Sequence, residues 1–207
     1  MQTQAEAAGK IVAIIDDDLA VREALGGLFQ SIGLTADLHG SVDAFLAAAD
    51  GDRADCLVVD VRLPGKGGLE FIEELARAGT RRAIVFISGH ADIPMAVRAM
   101  KAGAIDFLTK PVREQELLEA VQRAIEANRK RRAEEARTAD AHARYALLTP
   151  RERAVMREVI TGKLNRQIAA SIGISEATVK LHRSQIMRKM QAGSLIELVR
   201  LADLLVS

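Results

Sequence analysis

Carboxylates are the chemically loaded residues of the N-terminal half. Asp16, Asp17 and Asp18 stand directly after an apolar run at 11–15, and Asp60 ends a second run at 57–59. Ser88 follows a third run at 84–87, and Lys110 follows a fourth at 105–109, just before Pro111. Crowded carboxylates repel one another, and a hard divalent cation relieves that repulsion. Mg²⁺ takes one or two carboxylates, keeps several waters and accepts phosphate oxygens. A carboxylate is also a nucleophile toward phosphorus and forms an aspartyl phosphate. The metal then neutralises charge on the transferring group, and a nearby cation completes the clamp. Lys110 is placed for that role, and Ser88 offers a hydroxyl. One Asp at a strand end says little. The set Asp16, Asp17, Asp60, Ser88 and Lys110, spread over four strand ends, points to phosphoryl chemistry.

Such groups need a scaffold that gathers them. The runs at 11–15, 57–59 and 84–87 are short, continuous and rich in β-branched residues, as strands buried on both faces of a parallel sheet are. The run at 105–109 is interrupted by Asp106, and 34–39 alternates weakly, which predicts an edge strand. Helical periodicity fills the gaps. Val21, Leu25, Leu28, Phe29 and Ile32 share a face that Gly33 terminates, and Ser41 is placed to cap a helix carrying Phe45 and Leu46. Leu69, Ile72 and Leu75 mark a third helix, 95–100 a fourth ending at Gly103, and Leu117, Leu118, Val121 and Ile125 a fifth. Five βα units in sequence predict a doubly wound α/β sheet with right-handed crossovers. Sites in such sheets form beyond the carboxyl ends of the strands, where the winding reverses. The Asp16 group and Asp60 should therefore meet at one edge. Asp18 reads as a solvated or helix N-terminal carboxylate.

Composition divides the chain in two. Its 207 residues are 49% apolar, enough for two small cores. Aromatic content of 3% with no Trp argues against a base-stacking platform for single strands. Residues 1–125 carry 13 Lys and Arg against 19 Asp and Glu, a net −6, while 126–207 carry 16 against 9, a net +7. The basic part suits a polyanion such as DNA. The single cysteine, Cys56, excludes an intramolecular disulfide and a cysteine zinc site. Met1 to Gly9 lacks the basic start and apolar stretch of a signal peptide, and no run approaches the roughly 18 apolar residues of a membrane helix. The expectation is a soluble cytoplasmic protein. Residues 122–145 are dense in Arg, Glu and Ala without Pro or Gly, which predicts an extension of the fifth helix followed by a mobile polar linker. The cluster Arg129-Lys130-Arg131-Arg132 reads as a solvated linker face, with a nucleic-acid patch as the alternative.

From Leu148 onward there is no strand signal. Helices are predicted at about 150–161, 165–171, 176–190 and 194–206, broken at Gly162, at Gly173 with Ser175, and at Gly193. Thr149-Pro150 fits a helix start, and Glu152 completes a capping box. A helix, a short turn at Gly173-Ile174-Ser175 and a second helix capped by Ser175 have helix-turn-helix spacing. Val179, His182 and Ile186 mark the buried stripe of the second helix, and its exposed face offers Thr178, Lys180, Leu181, Arg183, Ser184 and Arg188. No second histidine stands at ligand spacing from His182, so it reads as structural. The last helix carries Leu195, Leu198, Val199 and the apolar stretch 201–205, more than a monomer needs. Part of it is expected to dimerise on DNA.

Two resemblances cover nearly the whole chain. Residues 10–125 resemble the receiver domain of bacterial response regulators, in Ile15-Asp16-Asp17-Asp18, Val59-Asp60, Leu63-Pro64-Gly65, Ile87-Ser88-Gly89-His90, Lys101-Ala102-Gly103-Ala104 and Lys110-Pro111. Residues 147–204 resemble the LuxR-type helix-turn-helix. The matching residues are 148–153, Gly162, Asn165, Ile168-Ala169, Ile174-Ser175-Glu176, Thr178-Val179-Lys180, His182-Arg183 and Lys189-Met190, and the ending from Ser194 resembles the FixJ branch. The implied architecture is a flavodoxin-like (βα)5 receiver at 10–127, a helical or polar linker at 128–146 and an all-α DNA-binding domain at 147–207. The resemblance implies Asp60 as phosphoacceptor. Asp17, Asp60 and the Arg62 backbone carbonyl would ligate Mg²⁺ (or Mn²⁺), with Asp16 acting through a metal-bound water. Ser88 and Lys110 would bind phosphoryl oxygens, the Lys110–Pro111 bond would be cis, and Phe107 would be the aromatic switch residue. Ser88 and Phe107 depart from the commoner Thr and Tyr. Without a hydroxyl, Phe107 must act by ring burial alone. In the second half, Lys180, Leu181 and Ser184 would face bases or nearby phosphates, and Thr178, Asn165 and Arg166 would touch phosphates. Arg183 and Arg188 are added from the helical face.

The function so implied is a DNA-binding transcriptional response regulator of a two-component system, with a sensor histidine kinase and double-stranded promoter DNA as partners. Phosphorylation of Asp60 would promote a homodimer and promoter binding, and RNA polymerase would be a partner of an activator. No membrane partner and no metabolic activity beyond slow self-dephosphorylation are expected. Two alternatives remain. Phosphatases with an Asp nucleophile carry a second Asp two residues on, where this chain has Arg62. A DNA-binding protein independent of phosphorylation would not need the full set Asp16, Asp17, Asp60, Ser88 and Lys110.

Overall fold

The structure, a computed structural model, describes residues 10–48, 53–89 and 93–205. Met1 to Gly9, His90 and Val206, each part of a sequence expectation, lie outside the described residues. The chain divides into two compact units, Met1–Arg131 and Arg132–Ser207.

Among the described residues of the first unit, five strands alternate with five helices. They are β1 (Ile11–Ile15), α1 (Leu19–Ser31), β2 (Thr35–His39), α2 (Val42–Ala47), β3 (Cys56–Asp60), α3 (Gly68–Arg77), β4 (Ile84–Ser88), α4 (Ile93–Lys101), β5 (Asp106–Thr109) and α5 (Glu114–Ala146). All pairings are parallel, in the order β2-β1-β3-β4-β5. The weakly alternating β2 is an edge strand, as its pattern predicts. Successive side chains of a strand point to opposite faces, so each central strand feeds two cores. Ala13, Ile15, Val59 and Phe86 pack with Val42 and Phe45 of α2, with Leu69, Phe71 and Ile72 of α3 and with Ala99 of α4. Val12, Ile14, Val58 and Val85 pack with Phe29 of α1 and with Leu117, Val121 and Ile125 of α5. The sheet is therefore doubly wound, with two cores. Cys56 sits in the second of them, where burial, aided by the Asp55 charge, pushes its thiol far up, so it behaves as a small hydrophobe.

Helix ends follow local chemistry. Asp18 caps α1, accepting from the Ala20 and Val21 amides, and Ser41 caps α2 through the Ala44 amide. The stretch 128–146, expected as a helical or polar linker extending the fifth helix, is helical throughout, since α5 runs unbroken to Ala146 and no mobile polar segment precedes that end. Pairs at helical spacing support it: Arg129 and Lys130 with Glu126, and Arg144 with Asp140. The stretch is also partly packed, since Ala141 is buried and Arg144 Nη1 donates to the Met190 carbonyl at 3.1 Å.

The second unit is all helical: α6 (Pro150–Ile160), α7 (Asn165–Ile172), α8 (Glu176–Met190) and α9 (Leu195–Asp203). Its core joins Leu148, Val155, Met156, Val159, Ile168, Val179, Ile186, Met190, Leu198 and Ala202. His182 is half-buried beside the stripe. Gly173, at φ 72°, ends α7 in the left-handed region that favours glycine and turns the chain into α8.

Two glycines separate packing from propensity. A Cβ on Gly68 would meet the Asp60 carbonyl oxygen at 2.4 Å and both Phe86 and Val59 at 3.0 Å. A Cβ on Gly27, exposed in α1, would meet nothing within 4 Å. Gly68→Ala should destabilise the first unit by about 1–3 kcal/mol, and Gly27→Ala should stabilise it by about 0.5–1 kcal/mol. Urea unfolding followed by circular dichroism measures both, and equal effects would contradict this packing.

Candidate functional site

Strand register gathers the chemistry predicted from sequence. Ile15 pairs with Val59, Asp60 with Ile87, and Ser88 with Thr109, so the residues ending or following β1, β3, β4 and β5 lie side by side. Asp16, Asp60 and Ser88 are buried, whereas Asp17 is exposed. Oxygens of Asp16, Asp17 and Asp60 lie within 4.8 Å of one another. The Lys110 Nζ donates to Asp16 Oδ2 at 2.7 Å and to Asp60 Oδ2 at 2.5 Å. Burial pulls the Lys110 ammonium down, but hydrogen bonds and the charges of Asp16 and Asp60 outweigh it and raise it above the usual lysine value. The ammonium therefore stays charged at neutral pH. Asp60 Oδ1 accepts the Arg62 main-chain N–H at 2.9 Å, and Asp16 Oδ1 accepts that of Asp18 at 2.9 Å. The Lys110–Pro111 bond is cis. Phe107, half-buried on β5, lies 6.3 Å from Phe86 between ring centroids.

Three carboxylates around one ammonium leave the cluster negative. A hard dication fits this donor set, because Asp16, Asp17 and Asp60 bring together the hard carboxylate oxygens that Mg²⁺ prefers and Asp17 is exposed. Sequence reasoning missed Arg22, whose Nη1 donates to the Asp16 carbonyl, and Gly68, whose missing side chain lets the chain lie against the Asp60 carbonyl. The adjacent pair Gly67-Gly68 was the available signal.

In the second unit α8 presents Lys180, Leu181, Ser184 and Arg188 to solvent. Two expected surface positions differ. Thr178 is half-buried, its hydroxyl 2.8 Å from that of Ser175, because Ser175 caps α8 and draws the first turn onto itself. Arg183 is also only half-exposed, flanking the buried stripe of Val179 and Ile186. On α7, Arg166 is exposed and Asn165 half-buried. The Thr149–Glu152 capping box forms, and Lys189 Nζ, 37 residues along, donates to Glu152 Oε2 at 2.6 Å. That pair ties the start of α6 to the end of α8.

Comparison with known proteins agrees with both halves. Residues 12–122 match the response regulator receiver domain, and residues 146–202 match the bacterial regulatory proteins of the luxR family. The chain belongs to the response regulators. It is 48% identical over 195 residues to Nodulation protein W of Bradyrhizobium diazoefficiens, across 94% of this chain and 86% of that protein. The structure of the response regulator StyR is similar with a TM-score of 0.84 and 42% identity, over 95% of this chain and 99% of that one. Full-length FixJ from B. japonicum is similar with a TM-score of 0.57 and 41% identity, over 94% and 96%. This response regulator is thus a DNA-binding transcriptional regulator of a two-component system and not a metabolic enzyme. A receiver joined to a LuxR-type domain implies a histidine kinase and DNA as partners, and receivers bind Mg²⁺ through acidic clusters such as Asp16, Asp17 and Asp60. Among the described residues, no helix is long and apolar enough to cross a membrane.

The Glu152–Lys189 pair sets a pH dependence for the DNA-binding half of this response regulator. Burial pushes the Glu152 carboxyl up, but hydrogen bonds from Lys189 and Thr149 outweigh it and hold it below its usual 4.5. Its contribution is therefore present above pH 4.5 and lost as pH falls through the lowered folded value. Tyr145, the only tyrosine in a chain without Trp, packs against this core and reports its unfolding by fluorescence. Glu152→Gln should cost about 1.5–3 kcal/mol at pH 7, with the difference from wild type shrinking below pH 4.5. A difference independent of pH would contradict the assignment.

Proposed function

We propose that Asp60 accepts a phosphoryl group from a partner histidine kinase and that this drives the protein onto promoter DNA as a dimer. The observation that carries the reading is the convergence of Asp16, Asp17, Asp60 and Lys110 at the carboxyl ends of β1, β3 and β5, with Ser88 ending β4. An Asp60 oxygen attacks phosphorus, a new O–P bond forms, and the P–N bond to the kinase histidine breaks, with the imidazole leaving. Asp17, Asp60 and the Arg62 carbonyl would hold Mg²⁺ or Mn²⁺, with Asp16 acting through a metal-bound water, and the bound ion would supply charge neutralisation for the transferring group. Lys110 exchanges Asp60 Oδ2 for a phosphoryl oxygen, and Ser88 donates its hydroxyl to another. Slow self-dephosphorylation resets the switch. The placement of Arg62 two residues past the nucleophile favours this reading over a phosphatase, which needs a general acid there.

The response is a population shift. Ser88 is drawn toward the phosphoryl group, Phe107 moves into the vacated space, and α4 repacks together with the surface over 101–107. Ile93 is 80% exposed, and Val97 and Met100 are also exposed on α4, which supports a receiver dimer on this face. Dimerised receivers raise the effective concentration of the DNA-binding halves. In that half, Lys180, Leu181 and Ser184 face bases or neighbouring phosphates, Thr178, Asn165 and Arg166 touch phosphates, and Arg183 and Arg188 join them from the helical face. Exposed Ile196 and Leu195 on α9 extend the dimer on DNA. The working division is 10–127 for phosphoacceptance, 128–146 as connector and 147–207 for DNA. The protein acts in the cytoplasm, as an activator in contact with RNA polymerase, and resemblance to the FixJ branch supports that sign.

Intact-protein mass after incubation with a small phosphodonor and Mg²⁺ tests the chemistry. Wild type should gain one phosphoryl group and Asp60→Ala none, and chelation of the metal should abolish the gain. An unlabelled wild type that is folded, beside a control receiver that labels, would instead favour DNA binding independent of phosphorylation. Arg166→Ala and Lys180→Ala should each reduce the slope of log affinity against log salt by about 1 on promoter DNA. An unchanged slope would remove that residue from the phosphate contacts.

A further inference from the structure

The first unit holds a cavity of about 520 Å³ far from the acidic edge. Residues 79–83, just before β4, and 101–103 with 105, just before β5, line it together with 127, 128 and 131 of α5. It therefore opens at the amino ends of these strands, roughly a strand length or about 16 Å from the carboxyl ends. Its volume lies in the range of small-molecule sites, about 300–1,000 Å³.

The wall has two characters. Ile72, Leu75 and Ile105 make one part apolar. Arg81, Arg82, Lys101 and Arg131 supply cations, and no carboxylate is among the described lining residues. This is a local reversal of sign, since residues 1–125 carry a net −6. Asn128 sharpens it. The residue is 3% exposed, and Arg131 Nη2 donates to its Oδ1 at 2.7 Å. A guanidinium only donates, so that bond fixes which end of the amide faces Arg131. The Nδ2 is left as a buried donor with no hydrogen-bond partner among the described residues. Buried donors are nearly always satisfied, so this one calls for an acceptor.

We propose that the cavity binds a small amphipathic oxyanion, a phosphate or carboxylate head on an apolar body. The head lies among Arg81, Lys101 and Arg131 and accepts from Asn128 Nδ2, and the body packs on Ile72, Leu75 and Ile105. Two ligand sources share this chemistry, and they are separated by two probes. Phenylphosphonate carries a phosphorus oxyanion on a ring and, through its C–P bond, cannot label Asp60. Benzoate carries a carboxylate on the same ring.

The test titrates each probe into the full-length, isotopically labelled protein and follows amide resonances. Expected are saturable shifts over 79–83, 101–105 and 127–131 and in the Asn128 side-chain amide, with Asp16, Asp60 and Lys110 unmoved. The tighter probe identifies the head group. Asn128→Asp keeps the shape and the Arg131 bond but loses the donor and adds negative charge, so binding should weaken at least about tenfold. The exposed pair Arg81→Gln with Lys101→Gln should weaken it several-fold, and this variant decides if Asn128→Asp does not fold. Absence of saturable shifts with both probes, shifts centred on Asp60, or undiminished binding in the folded variants would overturn the site.

Discussion

One ammonium among three carboxylates is the constraint on which the first unit depends. Asp16 and Asp60 are buried, and a buried charge is tolerated only when paired and hydrogen-bonded. Lys110 supplies the pairing to both, and it reaches them only because β5 lies in parallel register beside β4, and β4 beside β3. The four central and edge strands must all end at the same level for the cluster to exist. The apolar alternation below them sets that level, since a slip of one residue would turn each strand's side chains to the wrong face. The negative charge left after Lys110 is counted suits the edge to a hard dication.

The second unit solves a similar problem for a different end. Glu152 caps the start of α6 and is buried, and Lys189 offsets its charge. Because Lys189 sits on α8, the same ion pair that satisfies a helix terminus also orients the helix whose outer face carries Lys180, Leu181, Ser184 and Arg188. Anchoring on one side and exposure on the other are one arrangement.

The two ends of the first unit contrast in sign. Carboxylates crowd the carboxyl ends of the strands, and cations line the cavity at the amino ends of β4 and β5. The cavity borders the end of α4 and the start of β5 through Lys101 and Ile105, and α4 carries the exposed Ile93, Val97 and Met100.

The sequence alone determined most of the fold and the acidic site. Short β-branched runs, glycine stops, and the caps Asp18, Ser41, Thr149 and Ser175 are local signals set by the period of the backbone, and the strands and helices follow them. Asp16, Asp17, Asp60, Ser88 and Lys110 were legible because each sits at the end of such a run. Tertiary structure decided the rest, where the determining contact is distant in sequence or absent from the pattern. The polar stretch through Arg129–Arg132 reads like a linker, yet ion pairs at helical spacing and the packing of Ala141 and Arg144 keep it helical to Ala146. The need for glycine at 68 comes from the Asp60 carbonyl, the partner of Glu152 lies 37 residues away, and Thr178 and Arg183 lose exposure to their neighbours. Asn128 becomes an unsatisfied donor only once α5 packs against the ends of β4 and β5. Periodicity says which face a residue occupies, but only packing says what it meets there.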